Sequence, residues 1–251
     1  MRRTFIAGNW KMNTDLDSAK ELAKGLAQIP ASDVDVALIP PAVYLSSVGA
    51  IISDTPLSLG AQNMHSEPSG AYTGELSGAM LKDIGCRYVL CGHSERRTLF
   101  GESSEWIGVK VAAAHRSHLL PILCIGETLE ERQAGKVAEI LVHQLDRGLA
   151  QLTPQQVSST TVAYEPVWAI GTGLTATPEQ AQDAHRLIRT RLADKFGDSI
   201  AAEVRIQYGG SVKPQNAAEL LQQPDIDVAL VGGASLNTES FAAIIKAASL
   251  P

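Results

Sequence analysis

A glutamate closes the apolar stretch that ends at Tyr164-Glu165, and it is followed by Pro166, Trp168 and then Gly171 and Gly173 on either side of a threonine. A carboxylate in that place can take a proton from carbon, and a glycine-rich stretch behind it can close over a bound molecule. Glu165 is therefore the candidate general base and 170–173 the candidate lid. Gly171, Gly173 and Ala176 also fit the G-x-G-x-x-A form of a dinucleotide fingerprint, but their context rejects it. Thr177-Pro178-Glu179-Gln180 reads as a helix start capped by Thr177, so the helix begins after the glycines and not among them. The next strand, Val204 to Gln207, runs into Tyr208-Gly209-Gly210 with no acidic residue to hold a ribose hydroxyl.

A base needs elements that hold it still. Short apolar runs recur at Phe5 to Ala7, Val34 to Ile39, Leu57 to Ala61, Tyr88 to Cys91, Leu119 to Ile125, Thr161 to Tyr164, Val204 to Tyr208 and Val228 to Val231. Segments of helical period lie between them, such as Leu16, Ala19, Leu22, Ala23 and Leu26, or Ala181, Ala184, Leu187, Ile188 and Leu192. The last, starting near Asn237, sets Phe241, Ile244, Ile245 and Ala248 on one face. Continuous apolar strands alternating with amphipathic helices describe a parallel sheet covered on both faces. Eight such units in 251 residues predict an α/β fold, a (β/α)8 TIM barrel in which residues 1–251 form a single domain. An open doubly wound sheet gives a similar pattern.

Composition narrows the partners. At 45% hydrophobic and 19% charged residues, with no Pro/Ser-rich linker, the chain has the balance of one globular unit. The net charge of −6 and the lack of a basic run argue against nucleic acid and against an anionic membrane surface. Cys86, Cys91 and Cys124 are an odd set without C-x-x-C spacing, as expected of buried, reduced thiols. No stretch approaches membrane-spanning length and the first apolar run is too short for a signal peptide, so the expected location is cytoplasmic.

In a barrel, the loops that follow the strands share one rim. Asn9 and Lys11 follow the first strand, His93, Ser94 and Glu95 the fourth, Glu165 the sixth, Ser211 the seventh, and Gly232-Gly233 the eighth. Each of these alone is an ordinary solvated or turn residue, but together they bring a base, a cation and an imidazole to one place. Gly171, the segment around Ser211, and Gly232-Gly233 can turn backbone N–H groups toward a phosphate, since glycine lets the ligand approach the main chain. That would supply local positive potential in an acidic protein. No Walker A loop is present. Metal binding finds no support: His115 and His118 follow Ala112 to Ala114 and read as outward-facing on a packed helix, His65, His143 and His185 have no partners in sequence, and Cys124 reads as a barrel-interior packer with no base beside it.

GNWKMN at 8–13, AQN at 61–63, GAYTGE at 70–75, CGHSERR at 91–97, CIGE at 124–127, AYEPVWAIGTG at 163–173, YGGSV at 208–212 and LVGGASL at 230–236 together resemble the triosephosphate isomerase family. The motifs run in the family's order from first strand to last, and only the 64–69 loop, MHSEPS, and the helix surfaces are not closely matched. The resemblance implies interconversion of dihydroxyacetone phosphate and glyceraldehyde 3-phosphate without metal or organic cofactor. It implies Glu165 as base, His93 as neutral donor to the carbonyl, Lys11 and Asn9 at the enediolate oxygen, Glu95 orienting them, and phosphate held by Gly171, Ser211, Gly232 and Gly233. The positive end of a helix starting at Ser94 would disfavour imidazolium at His93, in accord with that role. Another phosphosugar isomerase or epimerase would share the glycine sites, and a non-catalytic phosphate-binding relative would have lost Lys11, His93 or Glu165. All three are present. The family's GAYTGE loop docks at the other subunit's site, so the resemblance also implies a homodimer in which the segment around Thr73 reaches its partner. The length of the Ala61 to Glu75 connection fits such a task.

Overall fold

The computed structural model describes residues 2–30, 33–171 and 174–248. Eight parallel strands, β1 Phe5–Asn9, β2 Asp35–Ile39, β3 Leu57–Ala61, β4 Cys86–Cys91, β5 Leu120–Ile125, β6 Thr161–Tyr164, β7 Ile206–Tyr208 and β8 Val228–Val231, pair in sequence order and close when β8 returns to β1, Phe5 opposite Val228. Every strand is central and both its faces are covered. This explains the unbroken apolar runs and excludes the open sheet.

The alternation of side chains along each strand divides the apolar residues between two cores. Phe5, Ala7, Ile39, Tyr88, Leu90, Ile122, Cys124, Ala163 and Leu230 point inward and fill the barrel. Ile6, Leu38, Val89, Leu123, Ile125, Val162 and Val231 point outward and meet the helices. Burial of the Cys124 thiol, reinforced by the nearby Glu165 carboxylate, holds it well above its ordinary value, so it packs and does not attack. Cys86 and Cys91 are also buried and free.

The helices bury the expected faces with local corrections. Ala19, Leu22, Ala23 and Leu26 are buried in Leu16–Ala27, but Leu16, the first residue of that helix, is 43% exposed. Thr177 caps Pro178–Phe196 through a reciprocal pair: its hydroxyl accepts from the Gln180 N–H at 3.2 Å, and Gln180 Oε1 accepts from the Thr177 N–H at 3.0 Å. Three histidine assignments change in part. His118 lies beyond the end of Ser104–Arg116, and His115 is half-buried with Nε2 2.9 Å from the Thr160 hydroxyl. His185, without partners in the sequence reading, is fully buried between Tyr164 and Tyr208 with Nδ1 3.3 Å from the Ala181 carbonyl, and burial pushes its pKa down to about 3. Among the described residues, no helix is long and apolar enough to cross a membrane.

Candidate active site

Strand parity aims the base. Ala163 faces the barrel interior, so Glu165, two residues on, points inward at the rim just past the Ile125 to Tyr164 pair. The approach is tight: a Cβ at Gly126 would lie 1.7 Å from the Glu165 carbonyl oxygen, and one at Gly209 would lie 2.9 Å from its Cγ. Both positions must be glycine for the carboxylate to sit where it does. It is 1% exposed; Oε2 accepts from the Ser94 N–H at 2.7 Å, whereas Oε1 has no hydrogen-bond donor among the described residues.

His93 arrives from the next loop but one. Gly92 at φ +75° breaks the alternation of β4, and His93 then caps Ser94–Phe100. Its Nδ1 accepts from the Glu95 N–H at 3.3 Å, which leaves the proton of the neutral ring on Nε2. Nε2 lies 3.0 Å from Glu165 Oε1, close enough for contact but not aligned as a hydrogen bond. A small molecule entering between the two would meet a donor on one side and an unoccupied carboxylate lone pair on the other.

Lys11 takes the left-handed conformation at φ +52°, unusual for a residue with a side chain. Its neighbours hold it there. Asn9 Oδ1 accepts from the Lys11 N–H at 3.0 Å, Gln62 Nε2 donates to the Lys11 carbonyl at 2.7 Å, and Lys11 Nζ donates to Glu95 Oε1 at 2.7 Å. With Oδ1 engaged, the NH2 group is what Asn9 can offer an oxygen in the site.

One cavity of about 630 Å³ is lined by Asn9, Lys11, His93, Glu165, Gly171, Ser211, Gly232 and Gly233. Of the residues expected at the site, Glu95 alone stands outside that lining; it reaches the site through Lys11 and borders the neighbouring cavity. Gly171 takes φ +71°, which suits glycine, while Thr172 and Gly173 of the lid segment lie outside the described residues. The loop of Ser211 is folded by Asn216, whose Nδ2 donates to the Ser211 carbonyl at 3.0 Å and whose Oδ1 accepts from the Lys213 N–H at 2.7 Å. Among the described residues, no group of three or more His, Cys, Asp or Glu side chains could hold a metal ion.

Several supporting residues escaped the sequence reading. Arg97 donates to the Gly92 carbonyl and to the Cys124 carbonyl, both at 2.9 Å, and so ties the ends of β4 and β5 together beneath the base. Glu127, fully buried, accepts from Arg132 at 2.9 Å, from the Tyr164 hydroxyl at 3.1 Å and from the Trp168 indole at 2.8 Å. It anchors the start of the 170–173 segment beside the base. Both stand in motifs quoted above, CGHSERR and CIGE, and their partners are distant in the chain.

Barrel and rim together set a buried carboxylate against an imidazole in a cavity shared with a lysine and glycine loops, an arrangement suited to the class of enzymes that move protons within small anionic molecules. Comparison with known proteins narrows it. A family model described as triosephosphate isomerase matches residues 4–248. A triosephosphate isomerase of Symbiobacterium thermophilum is 53% identical over 99% of this chain and 98% of its own length. Those of Hydrogenovibrio crunogenus and Carboxydothermus hydrogenoformans are 53% and 54% identical, covering 99% and 98% of this chain and 99% of each relative. The chain belongs to the triosephosphate isomerase family.

Proposed function

We propose that residues 1–251 work as one barrel in which Glu165 carries the proton and His93 polarises the carbonyl during isomerisation. The enzyme interconverts dihydroxyacetone phosphate and glyceraldehyde 3-phosphate, a reaction of glycolysis. Substrate between Glu165 and His93 replaces their mutual contact: Oε1 turns to the C–H bond next to the carbonyl, and Nε2–H to the carbonyl oxygen. Negative charge then develops on that oxygen, and the Lys11 ammonium and the Asn9 amide stabilise it in a site that excludes bulk water. His93 Nε2 gives its proton to that oxygen and takes the hydroxyl proton of the neighbouring carbon, and Glu165 returns the carbon-bound proton to the former carbonyl carbon. Glu95 holds Lys11 in place, and the phosphate lies against Gly171, Ser211, Gly232 and Gly233. The observation that carries this reading is the buried Glu165 carboxylate, whose Oε1 has no hydrogen-bond donor among the described residues and lies 3.0 Å from His93 Nε2, in the cavity that Lys11 shares with the glycine loops.

Turnover of dihydroxyacetone phosphate in deuterium oxide tests the proton route. A carboxylate that holds the proton between two carbons allows exchange with water, so a measurable fraction of the glyceraldehyde 3-phosphate should carry deuterium at C2. Product free of deuterium at C2 together with undiminished turnover in Glu165→Gln would remove Glu165 as carrier.

The working unit in this reading is a cytoplasmic homodimer, in which the loop around Thr73 reaches the partner's rim. Support comes from exposed apolar residues around the site: Met12 is 96% and Phe100 66% exposed, and both border a cavity of about 380 Å³ whose wall includes Lys11 and His93. Three buried, free thiols suit a reducing compartment. Thr73→Arg should split the dimer and depress kcat together, because an unpaired charge in a packed interface is costly. Sedimentation checks this, and a wild-type monomer with full activity would overturn the dimer and the task given to the loop.

A further inference from the structure

The isomerase chemistry leaves the 64–69 segment without a role, yet this segment is the neck of the loop that carries Thr73. The His65 N–H donates to the Leu76 carbonyl at 2.8 Å, and His65 pairs with Ser77 in an isolated parallel bridge. Residues 66–75 are therefore pinned at their base. The tip folds back onto the same histidine: the Tyr72 ring centroid is 4.3 Å from that of His65, at 33° between planes. Gly70 permits this, since a Cβ there would stand 3.0 Å from Tyr72 Cε2, and its φ of +134° suits glycine. His65 in turn meets the edge of Trp106 at 5.5 Å and 67°. Its ring orientation is held by the Glu67 N–H, which donates to Nδ1 at 3.1 Å.

Trp106 belongs to the helix Ser104–Arg116, and that helix grips the same loop again further along. One turn on, buried Lys110 donates to Asn63 Oδ1 at 2.9 Å; beyond it, Arg116 Nη2 lies 3.5 Å from the Ser66 carbonyl. The polar attachments hold the neck, whereas the ring stack holds the tip. The stack is no part of the core: Tyr72 is 45% and Trp106 38% exposed.

We propose that His65 and Trp106 are positioning residues that fix Tyr72, and through it Thr73, in the shape the partner subunit accepts. A loop already ordered in its docked form loses less conformational freedom on association. The proposal rests on the dimer reading above and deepens it.

The test compares full-length wild type, Trp106→Ala and Trp106→Phe by sedimentation from nanomolar to micromolar protein, by subunit exchange between labelled dimers, and by coupled assay at the same concentrations. An aromatic contact is worth roughly a factor of two to ten, and a dimer contains two such loops. Trp106→Ala should therefore raise the dimer dissociation constant by roughly fivefold to a hundredfold and speed exchange. Its activity per milligram should fall at low protein and recover at high protein, with KM unchanged, and Trp106→Phe should restore most of the loss. A stack that serves only stability would lower the melting midpoint and leave dissociation and exchange within twofold of wild type; that result overturns the proposal. A wild-type protein that sediments as a fully active monomer sinks the dimer reading itself, and the proposal with it.

Discussion

Glu165→Gln should lower kcat by about 10² to 10⁴, the usual worth of a positioned general base, with only a modest change in KM. The amide oxygen can still accept from the Ser94 N–H, so the side chain keeps its place. What it loses is the lone pair at Oε1, now either an NH2 group facing the Nε2–H of His93 or a neutral oxygen too weak to take a proton from carbon. The phosphate side of the cavity, Ser211 and Gly232-Gly233, is untouched by the change. Stability should not suffer, because the substitution removes a charge from a residue that is 1% exposed and hydrogen-bonded once. Steady-state kinetics and a melting curve measured on the same preparation separate the outcomes. Wild-type turnover in the variant would dismiss Glu165 as the base.

Lys11→Met is expected to be comparably severe for a different reason. It keeps the stem that passes Gly232, where a Cβ would lie 3.4 Å from Lys11 Cε, but it deletes the ammonium in a protein whose net charge is −6. Removing one preorganised group from a developing oxyanion costs about 2.7–4 kcal/mol, or roughly 10² to 10³ in rate. Here the loss also leaves Glu95 Oε1 without its cation, adding negative charge beside the place where an anion must bind. kcat/KM should fall by at least a hundredfold, and a phosphate-bearing inhibitor should bind much more weakly. Lys11→Arg should recover only part of this, because a planar guanidinium cannot occupy the point position of an ammonium 2.7 Å from Glu95. Calorimetry that finds unchanged inhibitor affinity in Lys11→Met would take Lys11 out of the site.

The number and spacing of the strands, and the candidate groups that gather at their ends, were legible in the chain itself. Apolar runs at regular spacing define eight parallel strands because each strand of a closed barrel is buried on both faces, and that demand is written locally, residue by residue. Strand ends are readable for the same reason, so Asn9, Lys11, His93, Glu165, Ser211, Gly232 and Gly233 are expected on one rim of a barrel from the chain alone. The Thr177 cap was equally local, being made between residues three apart.

Only the tertiary structure decided how those groups are held. Glu165 meets the Ser94 N–H across 71 residues, Lys11 meets Glu95 across 84, and Gln62 supports the Lys11 carbonyl across 51. Nothing in the local pattern of any of these residues names its partner. Gly126 and Gly209 look like turn glycines in sequence; their necessity appears only when the backbone and side chain of Glu165 are found in the space a Cβ would fill. His185 has no partner in its local sequence and is found buried between Tyr164 and Tyr208. Likewise, nothing in the MHSEPS stretch announces that His65 would stand between Tyr72 and Trp106, since that arrangement depends on a helix some forty residues downstream. Periodicity and strand ends are properties of neighbouring residues and survive in one dimension. Hydrogen-bond partners, ring contacts and the room for a glycine depend on distances between remote segments, which exist only once the barrel has closed.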